Sequence, residues 1–137
     1  MSKQLVVVVL LSVFLCGCGS GGPQRAAVQG EVTLGGRPLE KGSILFRPTE
    51  DTKGPTAGGR IENGRYEISR KDGPLVGMNR IEINAFQPTG RQVPKVIGNP
   101  EAGLMDEVIE VIPKKYNVDS TLVREVNTDS NILDFHL

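Results

Sequence analysis

The sequence predicts an all-β domain, a sandwich of seven short strands, and three observations carry that prediction. Apolar and polar residues alternate at period two along the chain after residue 27, as in Val28-Gln-Gly-Glu-Val-Thr-Leu34 and Asn131-Ile-Leu-Asp-Phe-His-Leu137. Thirteen of the 17 glycines and eight of the 9 prolines fall after residue 27 and cut the alternation into short runs of strand length. Turn signals recur at close spacing between those runs, and no segment there carries a convincing amphipathic-helix pattern.

The first strand is 28–34, with Val28, Val32 and Leu34 on one face and Gln29, Glu31 and Thr33 on the other. Gly35-Gly36 turns the chain, and Arg37-Pro38-Leu39 rounds the corner. The second strand is 43–48, with Ile44 and Phe46 inward, closed by Pro48. Segments 58–62 and 65–69 flank Asn63-Gly64, the strongest short hairpin signal because both turn positions need positive φ. There Tyr66 and Ile68 point inward and Arg65, Glu67 and Ser69 outward. Segment 78–86 sets Ile81, Ile83 and Ala85 against Arg80, Glu82 and Asn84. Segments 121–126 and 131–137 make a final pair joined at Thr128-Asp129-Ser130, with Leu133, Phe135 and Leu137 inward.

Between the fifth and sixth strands lies an irregular stretch, 87–112, broken by Pro88, Gly90, Pro94, Gly98, Pro100 and Gly103. A connection of that length is either functional or mobile. Glu107 to Ile112 within it reads equally as a short strand or a half-turn of helix. Its apolar residues, including Phe86, Val96, Ile97 and Leu104, either cap the open end of the sandwich or form a binding surface. In the second case Arg91, Lys95, Glu101 and Asp106 supply its polar contacts.

The amino terminus is of a different kind. Lys3 precedes an apolar run, Leu5 to Leu15, interrupted only by Ser12. Eleven residues are too few for a bilayer span, which takes about 20, and fit the apolar region of a secretory signal peptide. The run ends Leu15-Cys16-Gly17-Cys18, which resembles the lipobox of bacterial lipoproteins. The resemblance implies cleavage between Gly17 and Cys18 and lipidation of the Cys18 thiol, including palmitate. Residues 1–17 are then the lipoprotein signal peptide, 18–27 a glycine-rich tether on the lipid anchor, and 28–137 the folded domain. Gly19 stands where an inner-membrane retention aspartate is common, so in a host with two membranes the outer one is favoured. The expected location is therefore the cell envelope, at the cell membrane or outer membrane.

Composition narrows the function classes. The whole chain is formally neutral, and losing Lys3 with the leader leaves one net negative charge, which is no footprint for nucleic acid. Cys16 and Cys18 are the only cysteines and His136 the only histidine, too few ligands for a zinc or iron–sulfur centre. No disulfide-linked partner and no cofactor is expected. Glu50-Asp51 and Asp106-Glu107 are neighbouring carboxylates in polar loops, and His136 lies on an outward strand position. Neither arrangement specifies catalysis or a metal, so no catalytic or metal residue is assigned.

Five segments in order resemble carboxypeptidase regulatory-like domains. Gly30-Glu-Val-Thr-Leu-Gly-Gly-Arg-Pro-Leu-Glu-Lys-Gly42 is similar to their opening G-x-V-x-x-x-G-x-P-L-x-x-G, and Asn63-Gly-Arg-Tyr-Glu-Ile68 to their D/N-G-x-Y-x-I hairpin. Gly73 to Ile83 resembles the step that follows, with Asn79 in place of a common aromatic. Ile112 to Asn117 and the ending 131–137 resemble the tail of a subset found as small bacterial lipoproteins. The resemblance implies a transthyretin-like, Ig-like seven-stranded Greek-key sandwich. One departure is Arg124, between inward Leu122 and Val126, which calls for either a bulge or an edge strand with a wet inner face. Transthyretin-like hydroxyisourate hydrolases have several histidines and a Tyr-Arg-Gly-Ser ending, and this chain ends Asp-Phe-His-Leu. Isopeptide-linked adhesin repeats place a lysine on the first strand, and 28–34 has none. The expected function is non-catalytic: a lipid-anchored binding or spacer module with the membrane and an envelope protein as partners. The alternative is an accessory domain that binds polysaccharide or peptide through 87–112.

Overall fold

Strands form wherever the period-two alternation runs, and in more places besides. A computed structural model describes residues 22–137; the leader, Gly17 and Cys18 lie outside the described residues. The strands are β1 (Val28–Leu34), β2 (Arg37–Pro38), β3 (Lys41–Pro48), β4 (Ala57–Glu62), β5 (Arg65–Ile68) and β6 (Gly77–Asn84). They continue as β7 (Phe86–Pro94), β8 (Leu104–Glu110), β9 (Val123–Val126), β10 (Asn131–Ile132) and β11 (Phe135–His136). Two short 3-10 turns, Pro100–Ala102 and Lys114–Tyr116, are the only helical elements among the described residues.

One curled sheet runs in the order β10-β1-β5-β4-β3-β6-β9, with β2 and β11 also paired to β1. Its concave face buries the expected inward residues, among them Val28, Val32, Ile44, Phe46, Tyr66, Ile68, Ile81, Ile83 and Phe135. Removing a side chain of that size from water contributes about 1.5–3 kcal/mol. The rings of Phe46, Tyr66 and Phe135 follow one another across the core at centroid separations of 6.2 and 6.3 Å. The protein is all-β, as expected. Asn63 and Gly64 take φ values of 50° and 76° in the β4–β5 turn, the conformation the hairpin signal demands.

The seven expected segments all pair as strands, but one expected pairing is not made. Segments 121–126 and 131–137 do not pair with each other. β9 pairs antiparallel with β6, while β10 and β11 run parallel to β1 along its free side. Gly30 makes room for the second of these arrangements. The chain crosses it so closely that an added Cβ would stand 2.0 Å from the Leu133 carbonyl oxygen. That oxygen also accepts the Tyr66 hydroxyl at 2.7 Å, and the Glu31 amide donates to Asp134 Oδ1 at 2.7 Å. The interruption between β10 and β11 sits at this crossing.

Two polar positions also resolve. Glu82, expected outward, is nearly buried because Arg47 Nε and Arg80 Nη2 both lie 2.8 Å from its Oε1 and cover it. Arg124 sits on β9, an edge of the curled sheet, half-buried with its guanidinium 5.6 Å from the Phe135 ring centroid. The edge-strand alternative is therefore the one realised.

The chain is held to the body before β1 begins. The Val76 amide donates to Gln24 O at 2.8 Å, the Ala26 amide to Pro74 O at 3.0 Å, and Arg25 Nη1 to Gly73 O at 2.6 Å. Ala26 is fully buried. Of the residues assigned to the tether, 24–26 are thus fastened along 73–76, and Ala27 O accepts the Asn131 amide at 3.1 Å.

Candidate functional site

The stretch 87–112 is mostly not a loop. β7 and β8 form an antiparallel two-stranded ribbon that pairs with no other strand. Sequence reasoning missed it because Pro88, Gly90 and Pro94 all fall in β7, and proline cannot donate to a ladder. A two-stranded edge tolerates them, since only one side of each strand is paired. The remaining signal was the alternation through Leu104–Glu110, partly obscured by adjacent apolar pairs on both faces.

Two clasps hold the ribbon. At its base, Glu110 Oε1 accepts the amides of Ala85 and Ile112, each at 2.9 Å, and the Val111 amide donates to Ala85 O at 2.9 Å. Midway, the register slips between Pro88 and Gln92, so that Thr89-Gly90-Arg91 oppose Glu107 alone. Arg91 grips Glu107 with both fork atoms, Nε to Oε2 at 2.9 Å and Nη2 to Oε1 at 2.6 Å. Thr89 Oγ1 donates to Oε2 at 2.6 Å. The Arg91 hydrogen bonds, then that of Thr89, hold the Glu107 carboxyl below its ordinary pKa, and the same contact raises Arg91.

The expected polar contacts share this ribbon without converging. Arg91 is committed to Glu107, whereas Asp106, one residue earlier, points to the opposite face and meets only Gln92 Nε2 at 3.4 Å. Lys95 is exposed and its amide closes the turn onto Gly103 O at 3.0 Å. Glu101 sits in the distal 3-10 turn, its amide capped by Asn99 Oδ1 at 3.1 Å. Glu107 and Glu110, which do the clasping, were not singled out as contact residues.

The ribbon's apolar side chains do not cap the sheet. Ile97 at the tip is 98% exposed and Phe86 at the base 59%. Val96, Leu104, Met105, Val108 and Ile109 are likewise exposed, and no residue from 86 to 110 is buried. Cross-strand register places Phe86, Pro88, Leu104 and Val108 on one face and Val93, Met105 and Ile109 on the other. An exposed apolar array of this extent is uncommon on a monomer and marks contact surfaces.

The ribbon leaves the body at the end opposite the amino terminus. Gln24 and Ala26 are fastened beside Leu75, just before β6, and the ribbon follows β6 at Ala85. The eight residues of β6 separate these ends by about 26 Å.

Elsewhere the outer face of β1, β5 and β4 forms a shallow open concavity lined by Gln29, Glu31, Arg60, Glu62, Arg65 and Asp134. Its Arg65–Glu31 pair, at 3.0 Å, is exposed to water. His136 stands on an outward position with Nδ1 2.9 Å from Thr33 Oγ1. Burial, with the Asp134 charge adding, pushes the Tyr66 phenol well above its ordinary pKa, which keeps it a donor to Leu133 O. Among the described residues no three His, Cys, Asp or Glu side chains are grouped to hold a metal ion. The geometry thus defines an all-β protein with a projecting, apolar hairpin. Compared with known proteins, the chain matches no family model and no curated sequence.

Proposed function

We propose that this is a lipid-anchored, non-catalytic cell-envelope protein that contacts a protein partner through the 86–110 hairpin. Cys18 is the anchor, and the body is a carboxypeptidase regulatory-like Greek-key sandwich acting as a spacer. The observation that carries the reading is the hairpin itself, apolar on both faces, held by two clasps and buried nowhere. Its position also supports it. Residues 19–23 between the anchor and the first fastened residue let the chain reach at most about 22 Å from Cys18 to Gln24, so the body stays near the membrane. The hairpin then points away from the lipid.

A protein partner accounts for the surface better than a polysaccharide. Sugar-binding faces present aromatic platforms, and among the described residues Phe46, Tyr66 and Phe135 are buried, Tyr116 is half-buried, and Phe86 alone is openly exposed.

The test is an affinity capture from host envelope with the full chain tagged after Leu137, against a chain with 88–106 replaced by a short turn. The full chain is expected to recover a partner that the shortened chain loses. Equal recovery by both would sink the hairpin as the contact surface. For the anchor, a Cys18→Ser chain is expected to leave the membrane fraction and carry no lipid; retention with lipid would overturn it.

A further inference from the structure

We propose that the outer edge of β8 is a strand-docking site for an extended peptide segment whose apolar residues alternate with lysine or arginine. This rests on the hairpin being the contact surface and specifies how contact is made.

The edges of the protein are not equally open. On β9, Arg124 Nη1 turns back onto the Val123 carbonyl at 2.9 Å, occupying an acceptor that an incoming strand would use. β7 carries Pro88, Pro94 and the Thr89-Gly90-Arg91 bulge, each of which spoils continuous pairing. β8 has none of these devices. Leu-Met-Asp-Glu-Val-Ile-Glu holds no proline, glycine or bulge, and among the described residues no side chain hydrogen-bonds its backbone. Seven residues of unpaired edge suit the addition of a strand, in which main-chain bonds supply affinity and alternate side chains supply selectivity. A two-stranded ribbon is marginal in water, and a third strand with apolar neighbours relieves that.

Charge selects the occupant. β8 carries Asp106, Glu107 and Glu110 and no cation. Glu107 is taken by Arg91 and Glu110 by two amides, which leaves Asp106, with one long contact to Gln92, to meet a cation. An incoming apolar residue continues Leu104 and Val108 on one face or Met105 and Ile109 on the other. A second copy of β8 fits poorly, because the strand carries no cation and would leave Asp106 of each copy unanswered.

The experiment uses the full chain in mild detergent and, as probe, a labelled nine-residue peptide alternating lysine with valine, capped at both ends. Fluorescence anisotropy is expected to show binding, and amide hydrogen exchange across Leu104–Glu110 is expected to slow at least tenfold. Asp106→Lys is expected to weaken binding at least tenfold, and peptides with glutamate for lysine or a central proline are expected not to bind. Absence of binding at about 1 mM overturns the proposal. So do binding that leaves exchange in β8 unchanged, equal binding by the Asp106→Lys chain, or protection of β8 that rises with protein concentration alone. If the 88–106 replacement loses its envelope partner while the lysine–valine peptide fails, strand docking falls and the contact surface stands.

Discussion

The crossing at Gly30 makes a prediction that can be worked in numbers. Gly30 and Tyr66 are direct cross-strand partners, and both act on one atom, the Leu133 carbonyl oxygen. Replacing Tyr66 by Phe removes the 2.7 Å hydrogen bond and leaves that carbonyl beneath the body without its donor, a loss of about 1–3 kcal/mol. Replacing Gly30 by Ala places a carbon 2.0 Å from the same oxygen and 2.6 Å from its carbon, so the crossing strand must lift by more than 1 Å. The lift breaks the Tyr66 bond and strains its neighbours, Leu133 N to Gln29 O and Glu31 N to Asp134 Oδ1. Gly30→Ala is therefore expected to cost about 3 kcal/mol or more, in the range reserved for steric disruption of a packed site. At this chain length 2 kcal/mol corresponds to a fall in Tm of about 8 °C. The double variant is expected to cost clearly less than the two singles combined, since the second change finds the bond already broken. Urea denaturation of the four chains measures the cycle. Additivity to within about 0.5 kcal/mol, or a Gly30→Ala cost below about 1 kcal/mol, would refute the shared-carbonyl account.

Three further outcomes are expected. Glu110→Ala removes the acceptor shared by the Ala85 and Ile112 amides and should destabilise the hairpin base by about 1–3 kcal/mol, read as faster exchange of those two amides. Glu107 has a depressed pKa in the folded hairpin, so its clasp contributes above the ordinary carboxylate value of about 4.3 and is lost as pH falls through the lowered one. Amide exchange across 86–110, corrected for intrinsic rates, should therefore accelerate on acidification below that value, and Glu107→Gln should abolish the pH dependence. Arg124→Leu frees the Val123 carbonyl and removes the charge from the β9 edge, so sedimentation should show concentration-dependent association that the native chain lacks.

Much of the body was legible in the sequence because its signals are local. Alternation at period two chose the inward residues of β1, β3, β5 and β6, and all of Val28, Ile44, Phe46, Tyr66, Ile68, Ile81 and Ile83 are buried. Asn63-Gly64 announced its hairpin because positive φ at two successive positions is a property of those residue types. The candidate site was legible only in part. Arg91 and Asp106 were recognised as polar residues of 87–112, but not as members of two strands, because prolines and a bulge conceal the β7 pattern. That Arg91 binds Glu107 across 16 positions follows from a slipped register, which no sequence window contains.

Taken alone, then, the sequence determined the class of structure, the inward face of most strands and the position of the principal turns. These depend on residue type and near neighbours. Only the tertiary structure decided that the carboxy-terminal strand lies parallel along β1, that Arg124 stands at an edge, and that 86–110 projects as an apolar ribbon from the end opposite Gln24. Each of those depends on which backbones meet across long separations. Gly30 shows the difference most plainly: in the sequence it is one glycine of a motif, and in the fold it is the one residue small enough for Leu133 to cross.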